Sequence, residues 1–84
     1  MKNLHVVENI EQFLKGKDQN RYDIVVRYWD EDSYSSDEYT EAFNAVNRYN
    51  NMKHWEVEGL SLFVWDAEEQ EYHLFMGEKP EGLI

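Results

Sequence analysis

The side chains best suited to chemistry in this 84-residue chain are its carboxylates, 18 Asp and Glu against 8 Lys and Arg. The densest run, D-E-D-S-Y-S-S-D-E-Y-T-E from Asp30 to Glu41, has the length of a calcium-binding loop. It sets Asp30, Asp32 and Glu41 at the first, third and twelfth positions, where such a loop takes oxygen ligands. Tyr34 at the fifth position and Ser35 at the sixth, where glycine must make the sharp turn, break the pattern. The residues before Asp30 also read as strand, not as the helix such a loop needs. No metal site is therefore expected, and the run reads as an acidic loop leading into a helix.

Other catalytic or cofactor signatures are missing from the sequence. His5, His54 and His73 are isolated, with no H-x-x-x-H or H-E-x-x-H pattern, and each reads as a structural histidine at a strand edge. There is no G-x-S-x-G, P-loop or G-x-G-x-x-G motif. With no cysteine, a thiolate metal site and a disulfide are both excluded. Carboxylate pairs are too numerous for any one to stand out as an acid–base couple. The residues predict no enzyme and no cofactor.

The distribution of charge is more informative than its total of -10. Residues 1–27 carry four acids and five bases, whereas residues 28–84 carry fourteen acids and three bases. Two windows hold no base at all. Between Arg27 and Arg48 lie Asp30, Glu31, Asp32, Asp37, Glu38 and Glu41; between Lys53 and Lys79 lie Glu56, Glu58, Asp66, Glu68, Glu69, Glu71 and Glu78. A chain so charged does not bind nucleic acid directly, since phosphate contacts need clustered Lys and Arg. An ordinary solvated surface mixes the two signs. The plain alternative is that the acids serve only solubility.

Two groups of acids emerge as candidate partner-binding residues. The first is Asp30, Glu31, Asp32, Asp37 and Glu38; the second is Glu56, Glu58, Glu68, Glu69 and Glu71. If Glu56 and Glu58 share one strand face, they stand about 6.5–7 Å apart, and the acidic turn after Trp65 extends the strip along one hairpin. Duplex DNA carries one charge per about 1.7 Å of axis, so some ten rigidly held carboxylates can offer a basic groove a phosphate-like field. Tyr34 lies inside the acidic run and Trp55 and Tyr72 flank the second group; aromatic anchors in a polar rim are the composition of a tight protein interface.

The elements that must hold these groups are legible from apolar spacing. Leu4, Val7, Ile10, Phe13 and Leu14 fit a helix capped by Asn3 and closed by Gly16, although a short strand over residues 4–7 fits almost as well. Tyr22, Ile24, Val26 and Tyr28 alternate as a strand, with Val25 and Trp29 on its other face, so this strand is either covered on part of both sides or central in the sheet. Ser35 and Glu38 make a capping-box pattern ahead of Tyr39, Ala42, Phe43, Val46 and Tyr49, which predicts a second helix to Asn50 or Asn51 with Phe43 and Tyr49 facing the core. Acids then fill its first turns, and Arg48 and Lys53 lie near its end, as the macrodipole prefers. Residues 54–65 read as a strand with Gly59 at a bulge or bend, residues 71–76 as its return, and residues 77–84 as an irregular tail.

The expectation is one small α+β domain over residues 1–84, ordered helix-strand-helix-strand-strand, with two helices on one face of a mainly antiparallel three-stranded sheet. Without an apolar stretch long enough for a membrane span or secretory leader, a cytoplasmic protein is expected. In size, acidity and lack of cysteine the chain resembles small phage-encoded or mobile-element inhibitors: DNA mimics that block restriction enzymes, anti-CRISPR proteins, uracil-glycosylase inhibitors and nuclease immunity proteins. The resemblance is one of type and assigns no site residue. It implies a non-enzymatic inhibitor whose partner is a basic nucleic-acid-binding protein. The alternative is a regulatory or adaptor module, able to form a homodimer, that works through an aromatic sheet face.

Overall fold

A computed structural model of the chain describes residues 4–80. The order is α1 (Leu4–Leu14), β1 (Tyr22–Trp29), β2 (Tyr34–Tyr39), α2 (Ala42–Met52), β3 (Gly59–Asp66) and β4 (Glu71–Gly77). The four strands form one antiparallel sheet in the order β2-β1-β3-β4. The two centre strands, β1 and β3, pair along their full length.

Both helices pack on the same face. Val6, Val7 and Ile10 of α1 and Ala42, Ala45, Val46, Tyr49 and Met52 of α2 share one core with Ile24 and Val26 of β1 and Leu62 and Val64 of β3. Helical spacing brings Val6 and Ile10 to one stripe, and this burial selects helix over strand for residues 4–7. Each large side chain so buried contributes about 1.5–3 kcal/mol. Gly16 follows the helix with φ +78, a left-handed conformation that glycine adopts without penalty. The face away from the helices carries Val25, Arg27 and Trp29 of β1 opposite Phe63, Ser61 and Gly59 of β3.

Three expectations need correction. The sheet has four strands, not three, because Tyr34–Tyr39 is a strand and not an acidic loop entering a helix. The capping box of Ser35 and Glu38 therefore does not form. α2 starts at Ala42 behind Glu41, which makes no side-chain cap, and has neither acids in its first turn nor bases in its last. Ladder bonding to the open edge of β1 outweighs a local capping preference worth about 1 kcal/mol. The second correction is that Phe43 faces outward and is exposed, whereas Tyr49 is buried as expected.

Thirdly, β3 begins at Gly59, so Glu56 and Glu58 lie in the connection from α2 and share no strand face. Gly59 is no bulge; it pairs with Trp29, and a Cβ there would run into the indole ring. The sheet's irregularity lies where β4 passes Leu62 and Phe63. The proposed cap at Asn3 and the end of the tail, residues 81–84, lie outside the described residues. Among those described, no helix is long and apolar enough to cross a membrane.

Candidate functional site

Eight of the ten candidate acids fall at two opposite ends of the sheet. Eight-residue centre strands at about 3.3 Å per residue separate these ends by roughly 25 Å, so the continuous acidic strip expected along one hairpin does not exist.

One end joins the β1–β2 turn to the α2–β3 connection. The Oδ1 of Asp30 accepts the N–H groups of Asp32 at 3.0 Å and Ser33 at 2.8 Å. The Asp30 N–H donates to the Ser33 carbonyl at 2.9 Å, so a single aspartate closes the turn. Glu31 and Asp32 project from it into solvent. Directly opposite, Trp29 pairs with Gly59, which places the exposed Glu56 and Glu58 at the same end. Between described residues, none of these five carboxylates belongs to an ion pair; the pairs there involve Arg21 and Arg48. Two aromatic rings border them. Tyr34 is 59% exposed and Trp55 46%. The Arg27 guanidinium lies 4.9 Å from the Tyr34 ring, the Arg48 guanidinium lies 5.0 Å from the Trp55 ring, and Trp55 meets Tyr28 edge-on at 5.7 Å.

The other end is the β3–β4 turn. Asp66 closes it as Asp30 closes the first, its Oδ1 accepting the N–H of Glu68 at 3.0 Å and of Glu69 at 3.1 Å. Here, however, the carboxylate is buried and Arg21 grips it with two hydrogen bonds of 2.8 Å. Those bonds hold Asp66 well below the usual carboxylate range, helped by the two turn N–H groups against the opposing effect of burial, and they raise Arg21 above its usual value. Arg21 also lies 3.4 Å from Glu68 and 3.9 Å from Glu69. Glu71 begins the returning strand, exposed.

The remaining two candidates sit on β2 and point apart. Asp37 turns toward α2, where Arg48 lies 3.7 Å away, and Glu38 stands on the opposite face beside Val25. The tertiary structure thus supplies cations to acids that have none nearby in sequence. Arg21 and Asp66 are 45 residues apart, and nothing local in the sequence announces their pairing.

Of the two oxygen-rich clusters one does not converge and the other is already engaged. Asp30 and Asp32 lie in the turn before β2 and Glu41 beyond its far end, so the calcium-loop ligands do not converge. Asp66, Glu71 and His73 do come within 4.8 Å of one another. Both oxygens of Asp66 already accept hydrogen bonds from Arg21 or the turn, so a cation there would compete with that pair. A cleft of about 540 Å³, which the sequence does not foretell, opens between the end of α1 and the start of α2. Leu14, Ile24 and Phe43 line it with Lys15, Lys17 and Glu41. It contains no histidine and mixes both charges.

Comparison of the chain with protein-family models, with curated proteins and with solved structures finds no match. The class that the coordinates define is a small α+β domain with acidic sheet ends, and its function has to be argued from the site.

Proposed function

We propose that this protein is a non-enzymatic acidic inhibitor that docks on a basic, nucleic-acid-handling protein and occupies its nucleic-acid groove. One observation carries the reading: Asp30, Glu31, Asp32, Glu56 and Glu58 gather at one end of the sheet beside exposed Tyr34 and Trp55. Uncompensated carboxylates steer a basic partner and speed association, an effect that salt screens. Aromatic side chains at the contact slow dissociation. Glu68, Glu69 and Glu71 at the far end add to the long-range field, although Arg21 tempers the first two. The expected home of such an inhibitor is the cytoplasm of a phage-infected or element-carrying cell.

A second reading has its own observation. Phe63 and Trp65 of β3 with Tyr72 and Leu74 of β4 lie on the sheet face away from the helices, and Leu74 is exposed. An adaptor module would dock through this face.

Capture of proteins from the native host lysate on the immobilised chain tests both. The inhibitor reading expects basic nucleic-acid-binding proteins that are released by duplex DNA and by raising salt from about 50 to 200 mM. It also expects no capture by the chain carrying Asp30→Lys, Glu31→Lys, Asp32→Lys and Glu56→Lys. Capture indifferent to DNA and salt, and lost instead on Leu74→Lys, overturns it in favour of the adaptor.

A further inference from the structure

The edge of the sheet at β2 is protected by its shortness and its charge. β2 pairs with β1 on one side, and among the described residues no strand pairs with its other side. Its register runs without a break from Ile24–Tyr39 to Trp29–Tyr34. Within Tyr34–Tyr39 there is no proline, lysine or bulge to blunt the edge, and the charges that do so are the acids Asp37, turned inward to α2, and Glu38. The opposite edge is blunted, because β4 slips register beside Leu62 and Phe63 and ends at left-handed Gly77.

The outward-facing backbone follows from the turn. A hydrogen bond from the Asp30 N–H to the Ser33 carbonyl starts the alternation of the antiparallel ladder. Ser35, Asp37 and Tyr39 therefore direct their backbone groups to β1, whereas Tyr34, Ser36 and Glu38 direct theirs outward. What guards this edge is charge, mostly negative, with Arg27 of β1 lying over the Tyr34 ring and Arg48 beside Asp37. Glu31, Asp32, Asp37, Glu38 and Glu41 lie on or beside it, and no base occurs between Arg27 and Arg48. Arg48 answers Asp37 alone among them. A second copy of the edge would bring carboxylates against carboxylates across the new ladder, which is unfavourable. An incoming strand with Lys or Arg at alternate positions meets the opposite condition, and main-chain bonds then supply affinity.

We infer that β2 is a strand-addition site for an extended lysine- or arginine-rich segment of a partner protein, bound through the backbone of Tyr34, Ser36 and Glu38. The inference rests on the acidic-docking reading above and adds the mode of contact.

The test titrates the 15N-labelled full chain with a blocked octapeptide of alternating lysine and valine, alongside the same peptide N-methylated at every backbone nitrogen. The second probe keeps every charge and has no main-chain donor. The parent peptide is expected to slow amide exchange at Tyr34, Ser36 and Glu38 about tenfold or more, and the methylated one to bind about tenfold more weakly without protection. Ser36→Pro, which removes an outward N–H only, is expected to weaken parent binding by a similar factor while the far-UV circular dichroism stays the same. Equal affinity for the two peptides overturns strand addition and leaves acidic docking standing. Failure of both peptides alongside loss of the DNA-sensitive capture above removes both readings. Concentration-dependent dimers that protect the same three amides without peptide would assign the edge to a second copy and overturn the inference.

Discussion

The two hairpin turns of this protein use the same device and end in opposite electrostatic states. Asp30 follows the last residue of β1 and Asp66 is the last residue of β3, and each gives one oxygen to the N–H groups two and three residues on. At Asp66 the carboxylate is buried and Arg21 neutralises it, so the charge serves to lock the start of β1 to the end of β3. At Asp30 no such cation arrives among the described residues, and the same end is fastened instead by the Trp29 indole lying over Gly59. The lesson is that an acidic residue at one end is spent on the fold, whereas at the other end its neighbours Glu31, Asp32, Glu56 and Glu58 stay exposed and outside any ion pair between described residues.

The comparison makes a ranked set of expectations. Asp66→Ala should cost most, because it leaves Arg21 without its buried partner and frees two turn N–H groups together. Its urea midpoint should fall about twice as far as that of Asp30→Ala, or further. The same pair gives a pH signature. Since Asp66 is held below the usual range, the unfolded chain takes up that proton first as pH falls below about 4. The pair's stability is therefore complete above that value and drains away in more acidic solution. The gap between wild type and Asp66→Asn in urea denaturation should narrow as pH drops from 5 to 2, and a constant gap would break the assignment.

Next in size is Gly59→Ala. A methyl group meets the Trp29 ring, and overpacking of this kind costs about 1–3 kcal/mol. Tryptophan fluorescence should report the displaced indole in the folded variant. Asp30→Ala should cost less, about 1 kcal/mol, since only an exposed turn loses its acceptor. Should it prove as damaging as Asp66→Ala by thermal melting, the contrast between the ends would disappear.

Smallest is the effect of Glu68→Gln with Glu69→Gln. Both side chains are largely exposed beside Arg21, and such pairs contribute about 0–1 kcal/mol. Partner binding sharpens the point. Charge removal at Glu31 and Asp32 should flatten the salt dependence of capture more than equal removal at Glu68 and Glu69.

Much of the scaffold was legible in the residues. The alternation of Tyr22 to Tyr28 marks a strand, the spacing of Ala42, Val46 and Tyr49 marks a helix, and both are present. The strand at Tyr34–Tyr39 was not legible, because its serines and acids give no hydrophobic alternation and its partner, β1, is what makes it a strand. A capping signal at Ser35 competed and lost. The residues offered Tyr34, Trp55 and Tyr72 as anchors beside the acids but not which of them is exposed, since an aromatic residue's type is the same whether it fills a core or rims a surface; Tyr34 and Trp55 are exposed and Tyr72 is half-buried.

By itself the sequence determined the acidity, its segregation from the N-terminal third, the absence of thiol chemistry and the α+β class. Each depends on residue type or short-range period, which a linear chain carries without knowing its neighbours in space. Only the tertiary structure decided which carboxylates are neutralised and which are left over. Coulomb energy depends on distance through space, and the contact that spends Asp66 on Arg21 joins positions 45 residues apart.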